Sequence, residues 1–465
     1  MKKSVTVLIF FLLSVHSSLL TAQSSIVKPT LQQVAWQERE TSAFLHFTVN
    51  TFTDKEWGDG TESEKIFNPT DFNATKIVQT LKKTGFKLVI ITAKHHDGFC
   101  LWHTKMTEHS VKNSPFKRDV VKELSEACKK EGLKFGVYLS PWDRHEKTYG
   151  TDKYNSFYKA QLTELLTNYG EISEVWFDGA KGDNTKMEYD FKGFWNLVRK
   201  LQPKAVMFSD VGPDVRWVGN ESGNAGETCW STINISKDNT IKASDLALKG
   251  KAIAPGIADE KYLNTGDING SRWIPAETDV SIRKGWFYHA SENATVKSGK
   301  ELVDLYYKSV GRNSLLLLNI PPNRKGQLDE QDVSSLTDFR SILDETFKKN
   351  LLEGVVFNSL TDKKIGTYVE LNTGASFEMD FKKDVAFDRF MMQENISEGQ
   401  SIENGELEYW DGKAWQTLQD FTTVGYKRLM RFKAVTTSKI RLTILKAKSK
   451  ILLSDIGCYK ASSKE

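Results

Sequence analysis

Asp178 ends a short apolar run, Ile172 to Phe177, and is followed by Gly179 in the stretch ISEVWFDGAKG. Valine, isoleucine and aromatics in such density read as a buried strand. A carboxylate where a strand opens into a loop sits where barrel enzymes hold their reactive groups, which makes Asp178 a candidate nucleophile or base. The plain structural alternative is a turn or helix-cap aspartate. Two further acids, Glu221 and Glu227, lie in RWVGNESGNAGETCW (216–230), a loop rich in glycine and asparagine that also carries Trp217 and Trp230. Cleavage of a glycosidic bond needs one ionised carboxyl at the anomeric carbon and one protonated carboxyl at the leaving oxygen. Asp178 can pair with either glutamate.

In KHHDGFCLW (94–102), His95 and His96 stand together at the end of another apolar run. Side chains alternate along an extended chain, so both reach one cavity only if the backbone bends there. A zinc site would need more ligands, for which Asp178 and His46 are available, but neither HxH nor HExxH spacing occurs. Hydrogen bonding to hydroxyl groups, which histidine can both donate and accept, is the more natural use. The chain has 12 tryptophans; Trp57, Trp102, Trp176, Trp230 and Trp286 all lie near polar loops, where an aromatic face can pack on the C–H face of a sugar.

These groups need a scaffold. Residues 87–94, 134–140, 172–178, 205–210 and 314–321 read as strands. Residues 73–85, 118–132 and 154–170 carry apolar residues at helical spacing, each closed by a glycine. Continuous apolar strands alternating with crossover helices predict a parallel sheet covered on both faces, either an open doubly wound sheet or a closed (β/α)8 barrel. Polar and aromatic groups at several strand ends (His95 and His96, Tyr138 with Trp142, Asp178, Asp210) favour the barrel. Past a polar helix at about 330–349 the pattern changes to closely spaced strands, IGTYVELN, SFEMDF, FDRFMMQE, GELEYWDGKAWQTL, RLMRFK and SKIRLTIL, which predict an antiparallel β-sandwich. The expected organisation is a leader at 1–22, a barrel domain at 23–345 and a sandwich at 346–465.

The leader reading rests on two lysines, an apolar run from Val5 to Val15, and small residues after it, too short a run to span a bilayer. It implies an exported chain, periplasmic or secreted in a bacterial host, with no membrane attachment once the leader is removed. Four scattered cysteines without CxxC spacing do not make a disulfide framework, although one isolated bridge stays open. With 64 basic against 60 acidic residues and no long basic block, nucleic acid is a poor partner.

The motifs FLHFTVNTFTDKEWGDG, GFKLVIITAKHHDGFCLW, GVYLSPWDR, EVWFDGAKG, RWVGNESG, ETDVSIRKGWFYH and GRNSLLLLNIPPNRKGQL follow one another in this order between about residues 36 and 325. Together they resemble the α-L-fucosidases of glycoside hydrolase family 29, whose sandwich tail the region from 346 also resembles. The resemblance implies a retaining exo-α-L-fucosidase that acts by double displacement on a fucosylated oligosaccharide or glycoconjugate, with no cofactor and no metal. It assigns Asp178 as nucleophile. The RWVGNE loop is similar to that of the subgroup cleaving α-1,3 and α-1,4 linkages on branched glycans, and this selects Glu221 over Glu227 as acid/base. Fucose would be bound by His46, Glu56, Trp57, His95, His96, Tyr138 and Trp286, the last beside the C5 methyl group. The chain reads LHFTVNTF where many members carry Gly and Trp around the histidine. The competing readings are a metal-dependent barrel hydrolase using His95, His96 and Asp178, and a non-catalytic glycan-binding protein.

Overall fold

A computed structural model describes residues 26–182, 186–235 and 259–465; the leader expected at 1–22 lies outside them. Eight parallel strands close into a barrel: β1 (Thr41–Leu45), β2 (Leu88–Lys94), β3 (Lys134–Leu139), β4 (Glu174–Trp176), β5 (Val206–Ser209), β6 (Val215–Trp217), β7 (Ala276–Ser281) and β8 (Leu315–Asn319). Each strand pairs with its sequence neighbours, and β1 completes the ring by pairing with both β2 and β8, with Ala43 opposite Val89 on one side and Leu318 on the other. The strand expected at 172–178 is only Glu174–Trp176. Asp178 lies beyond it in the loop, where its carboxylate takes the backbone N–H of Ala180 in a local turn instead of continuing the ladder. β5 and β6 are joined by a five-residue link with no helix, so the barrel departs there from strict β/α alternation.

Side-chain alternation divides the apolar residues between two cores. Phe44, Leu88, Ile90, Tyr138, Trp176, Phe208, Leu315 and Leu317 fill the interior. Ala43, Leu45, Val89, Ile91, Val137, Leu316 and Leu318 point outward to the helices. Each leucine so buried contributes about 2 kcal/mol before chain entropy is subtracted. Trp36, from the helix Leu31–Gln37, belongs to the interior core, and its indole donates to Glu174 Oε2 at 3.1 Å, as does Arg39. Glu174 adjoins Glu277, which accepts from the Trp176 indole at 2.9 Å. Burial pushes both carboxyls up, Glu277 the further because the Glu174 charge adds to it, so the pair holds a proton inside the barrel.

After the helix Glu330–Thr346 comes an antiparallel sandwich. SFEMDF and FDRFMMQE are not two strands, as their spacing suggests, but one strand of 19 residues, Ser376–Glu394; RLMRFK and SKIRLTIL likewise form one of 20, Arg428–Ala447. The turn-like residues between the expected pairs are absorbed as register shifts in a bent ladder. The six strands form one hydrogen-bonded sheet with the two long strands side by side at its centre. Residues 440–447 pair with Ile402–Trp410 on one side of that pair, and residues 389–394 pair with Ile451–Tyr459 on the other. All four cysteines are buried thiols. Among the described residues, no helix is long and apolar enough to cross a membrane.

Glu40 ties the two domains together. Its carboxylate accepts from the Tyr306 hydroxyl of the barrel at 2.5 Å, from the Tyr426 hydroxyl of the sandwich at 2.9 Å, and from the Lys427 ammonium. Burial alone would raise its pKa, but the Lys427 charge and the hydroxyl donor outweigh burial and hold it down at about 2. A depressed folded-state pKa stabilises the fold above the unfolded value, and this gain is lost as pH falls toward the folded one. Glu40→Gln is therefore expected to destabilise the protein by about 3 kcal/mol at neutral pH. In denaturant titrations at successive pH values, that gap should narrow below the usual carboxylate pKa and close near pH 2.

Candidate active site

The C-terminal mouth of the barrel opens into a cavity of about 470 Å³, of the size that takes a small ligand. Its wall includes His46, Glu56, Trp57, His95, His96, Tyr138, Asp178, Glu221 and Trp286, the nine residues that the resemblance assigns to the site. Trp176 and Phe208, stacked with centroids 4.2 Å apart, form part of the floor with Phe44.

Asp178 is held by both oxygens. The Tyr138 hydroxyl from β3 donates to Oδ2 at 2.8 Å, and the Ala180 N–H donates to Oδ1 at 2.7 Å. Burial and the Asp178 charge push the Tyr138 phenol far up, so it remains a donor.

His95 and His96 both reach the mouth because the chain turns at once: the Gly98 N–H bonds the His95 carbonyl at 3.0 Å. Gly98 has φ +79°, and a Cβ there would sit 2.6 Å from Asp143 Oδ1 and from the His145 side chain, so the bend requires glycine. The tautomers follow from the partners. Ser140 donates its proton to the Trp142 carbonyl at 2.6 Å, so it accepts from His96 Nδ1 at 2.7 Å. The Asn319 amide nitrogen donates to Ser281 and to the Trp286 carbonyl, so its Oδ1 accepts from His46 Nδ1 at 2.8 Å. Each ring keeps Nε2 as an acceptor, and His96 Nε2 lies 3.9 Å from Asp178 Oδ2. His95 Nδ1 is buried and finds no hydrogen-bond partner among the described residues. Burial lowers all three imidazoles, His46 to about 3 and His96 to about 4, so they are neutral.

Glu221 hangs from the loop after β6, its Oε2 accepting from the Trp286 indole at 3.2 Å. Burial raises its pKa; the Trp286 bond opposes this, and the charges of Asp178 and Glu56 add to it. Glu227 does not line the cavity. It forms ion pairs with Arg312 and, at 3.1 Å, with Arg428 of the sandwich. Glu56 accepts from the backbone of Trp286 at 2.7 Å and Phe287 at 3.1 Å and from His289 at 2.7 Å, so it also fixes the Trp286 segment. Trp57 is 60% exposed at the rim, edge-on to His96 and Trp142.

Asp279 of β7, not singled out in the sequence, also lines the wall. It accepts from the Trp217 indole at 2.6 Å, and burial with the nearby Glu221 charge pushes its carboxyl well up. A metal-dependent hydrolase is not favoured. Among the described residues, no group of three or more His, Cys, Asp or Glu could hold a metal ion.

A barrel that presents two carboxyl groups from separate loops to one sugar-sized cavity, one of them raised by burial, is a glycoside hydrolase. The family profile described as alpha-L-fucosidase matches residues 15–346, and the chain belongs to that family. It is 43% identical to alpha-L-fucosidase 1 of Arabidopsis thaliana, across 99% of this chain and 94% of the plant protein. Among solved structures it is similar to a Ruminococcus gnavus family 29 fucosidase in complex with fucose, with TM-score 0.85 and 34% identity over 95% of this chain and 96% of that one. It also resembles a glycoside hydrolase 29 member from an unknown rumen bacterium, with TM-score 0.83 and 39% identity over 94% and 78% of the two chains.

Since His46 and His96 gain protons only as pH falls toward about 3 and 4, their acceptor nitrogens persist throughout the working range. Fucose affinity of a variant carrying both Glu221→Gln and Asp279→Asn, in which neither raised carboxyl of the wall titrates, is expected to stay level from about pH 8 to 5 and to weaken only below that. Calorimetric titration at stepped pH checks this.

Proposed function

We propose that this α-L-fucosidase is a retaining exo-enzyme that removes terminal α-1,3- or α-1,4-linked fucose from branched, Lewis-type glycans. The observation that carries the mechanism is the contrast between the two carboxyl groups: Asp178 is clamped by two donors, whereas Glu221 is raised by burial and held by one indole. Asp178 attacks the anomeric carbon while Glu221 passes its proton to the departing glycosidic oxygen, leaving a fucosyl ester on Asp178. Glu221, now a carboxylate, takes a proton from water, whose oxygen attacks the same carbon and frees Asp178. Positioning by rigid neighbours keeps reorganisation small at the moment of attack.

The neutral histidines, with their acceptor nitrogens, suit sugar hydroxyls, and Trp286 supplies an apolar surface for the C5 methyl group. The linkage preference is supported by the RWVGNE loop, which carries Glu221. Export through the leader at 1–22 is part of the same proposal.

Proton NMR of the first product from an aryl α-L-fucoside is expected to show the α-anomer; the β-anomer would mean inversion. Asp178→Ala should lower turnover by about 10³-fold or more. Glu221→Gln should lose far more on a poor leaving group than on an activated aryl one. Fucose release from a Lewis-type trisaccharide, and not from 2′-fucosyllactose, supports the linkage assignment; the opposite preference overturns it.

A further inference from the structure

The loop that carries Glu221 leaves the barrel at Trp217 and is fastened again, a few residues later, by the other domain. Arg428, only 4% exposed, pairs with Glu227 Oε2 at 3.1 Å and donates to the Glu227 carbonyl at 2.7 Å. Thr422 donates to that carbonyl at 2.5 Å. Thr423 accepts from the Cys229 N–H at 2.8 Å, and Gln400 accepts from the Ser231 N–H at 2.8 Å. From the barrel side, Arg312 donates to the Ala225 carbonyl at 2.8 Å and pairs with the other oxygen of Glu227. Between this anchor and Glu221, Gly223 lies so close to β7 that a Cβ would come within 2.8 Å of Val280. The segment has little slack.

We infer that the sandwich domain positions the acid/base: the Arg312–Glu227–Arg428 cluster, with the sandwich side chains around it, holds Glu221 in the cavity against Trp286. Arg428 and Arg312 are positioning residues, since neither lines the cavity. The inference rests on Glu221 being the acid/base. Releasing the anchor lets the loop lift, so Glu221 gives up its partial burial, its raised pKa falls back, and its distance to the leaving oxygen becomes variable. The titratable groups facing Glu221 are Asp178 from the loop after β4, Glu56 from the segment after β1 and Asp279 on β7. The cluster touches none of these, so any change comes through the loop.

The test compares full-length Arg428→Ala, Arg428→Lys and Glu227→Gln with the unaltered enzyme on a poor-leaving-group fucoside. Arg428→Ala and Glu227→Gln are expected to lower kcat by about tenfold or more, as small misplacements of catalytic groups do. They should also shift the basic limb of the pH profile to lower pH and leave inhibition by fucose unchanged; Arg428→Lys should recover part of both. Glu40→Gln, which loosens the same domain interface elsewhere, is expected to lower Tm without moving kcat or the limb. Unchanged kcat and limb in both Arg428→Ala and Glu227→Gln would overturn the inference, as would Glu40→Gln reproducing their changes. If Glu221→Gln cleaves good and poor leaving groups alike, the acid/base assignment has failed; if it discriminates and the anchor variants are silent, only the role of the sandwich has.

Discussion

The hydrogen bond from Tyr138 to Asp178 is the contact on which the site turns. Its donor stands on β3 inside the closed ring, and its acceptor lies just past the end of β4, so the carboxylate is indexed to the barrel although it belongs to a loop. Closure of the ring, with Phe44, Trp176 and Phe208 packed beneath, removes the freedom that would otherwise let the loop carry the acid away. The amide of Ala180 fixes the second oxygen. Rotation of the carboxylate would break both bonds.

The remaining wall works by contrast with this rigidity. Glu221 comes from a loop with no regular structure and owes its place to an indole and to distant anchors, while partial burial raises its pKa. The histidines are stripped of charge by the same burial and offer lone pairs. One pocket thus lowers its imidazoles and raises the Glu221 carboxyl.

Much of this was legible in the sequence because the relevant signals are local. Apolar runs ending in His95 and His96, in Tyr138 and in Asp178 mark three strand ends around one mouth, and the loop holding Glu221 announces itself by its glycines and asparagines. What was hidden shares one cause. β7 reads AETDVS, with Glu277 and Asp279 on the face turned into the barrel; two acids at strand spacing look like a solvated segment unless the interior is known to hold a shared proton and an indole donor. β6 is three residues around a buried Arg216 that spends its guanidinium on the carbonyls of Leu263, Ile274 and Trp230. The fate of Glu227 was equally out of reach, since its arginines come from positions 312 and 428, and no local pattern reports so distant a pairing.

The two long strands of the sandwich have a consequence for how that domain comes apart. Ser376–Glu394 and Arg428–Ala447 lie side by side at the centre of the six-stranded sheet, so the strands on one flank reach those on the other only through them. Cutting either one opens a raw edge in the middle of the sheet. The central pair therefore couples the two flanks, and its loss is expected to loosen both together.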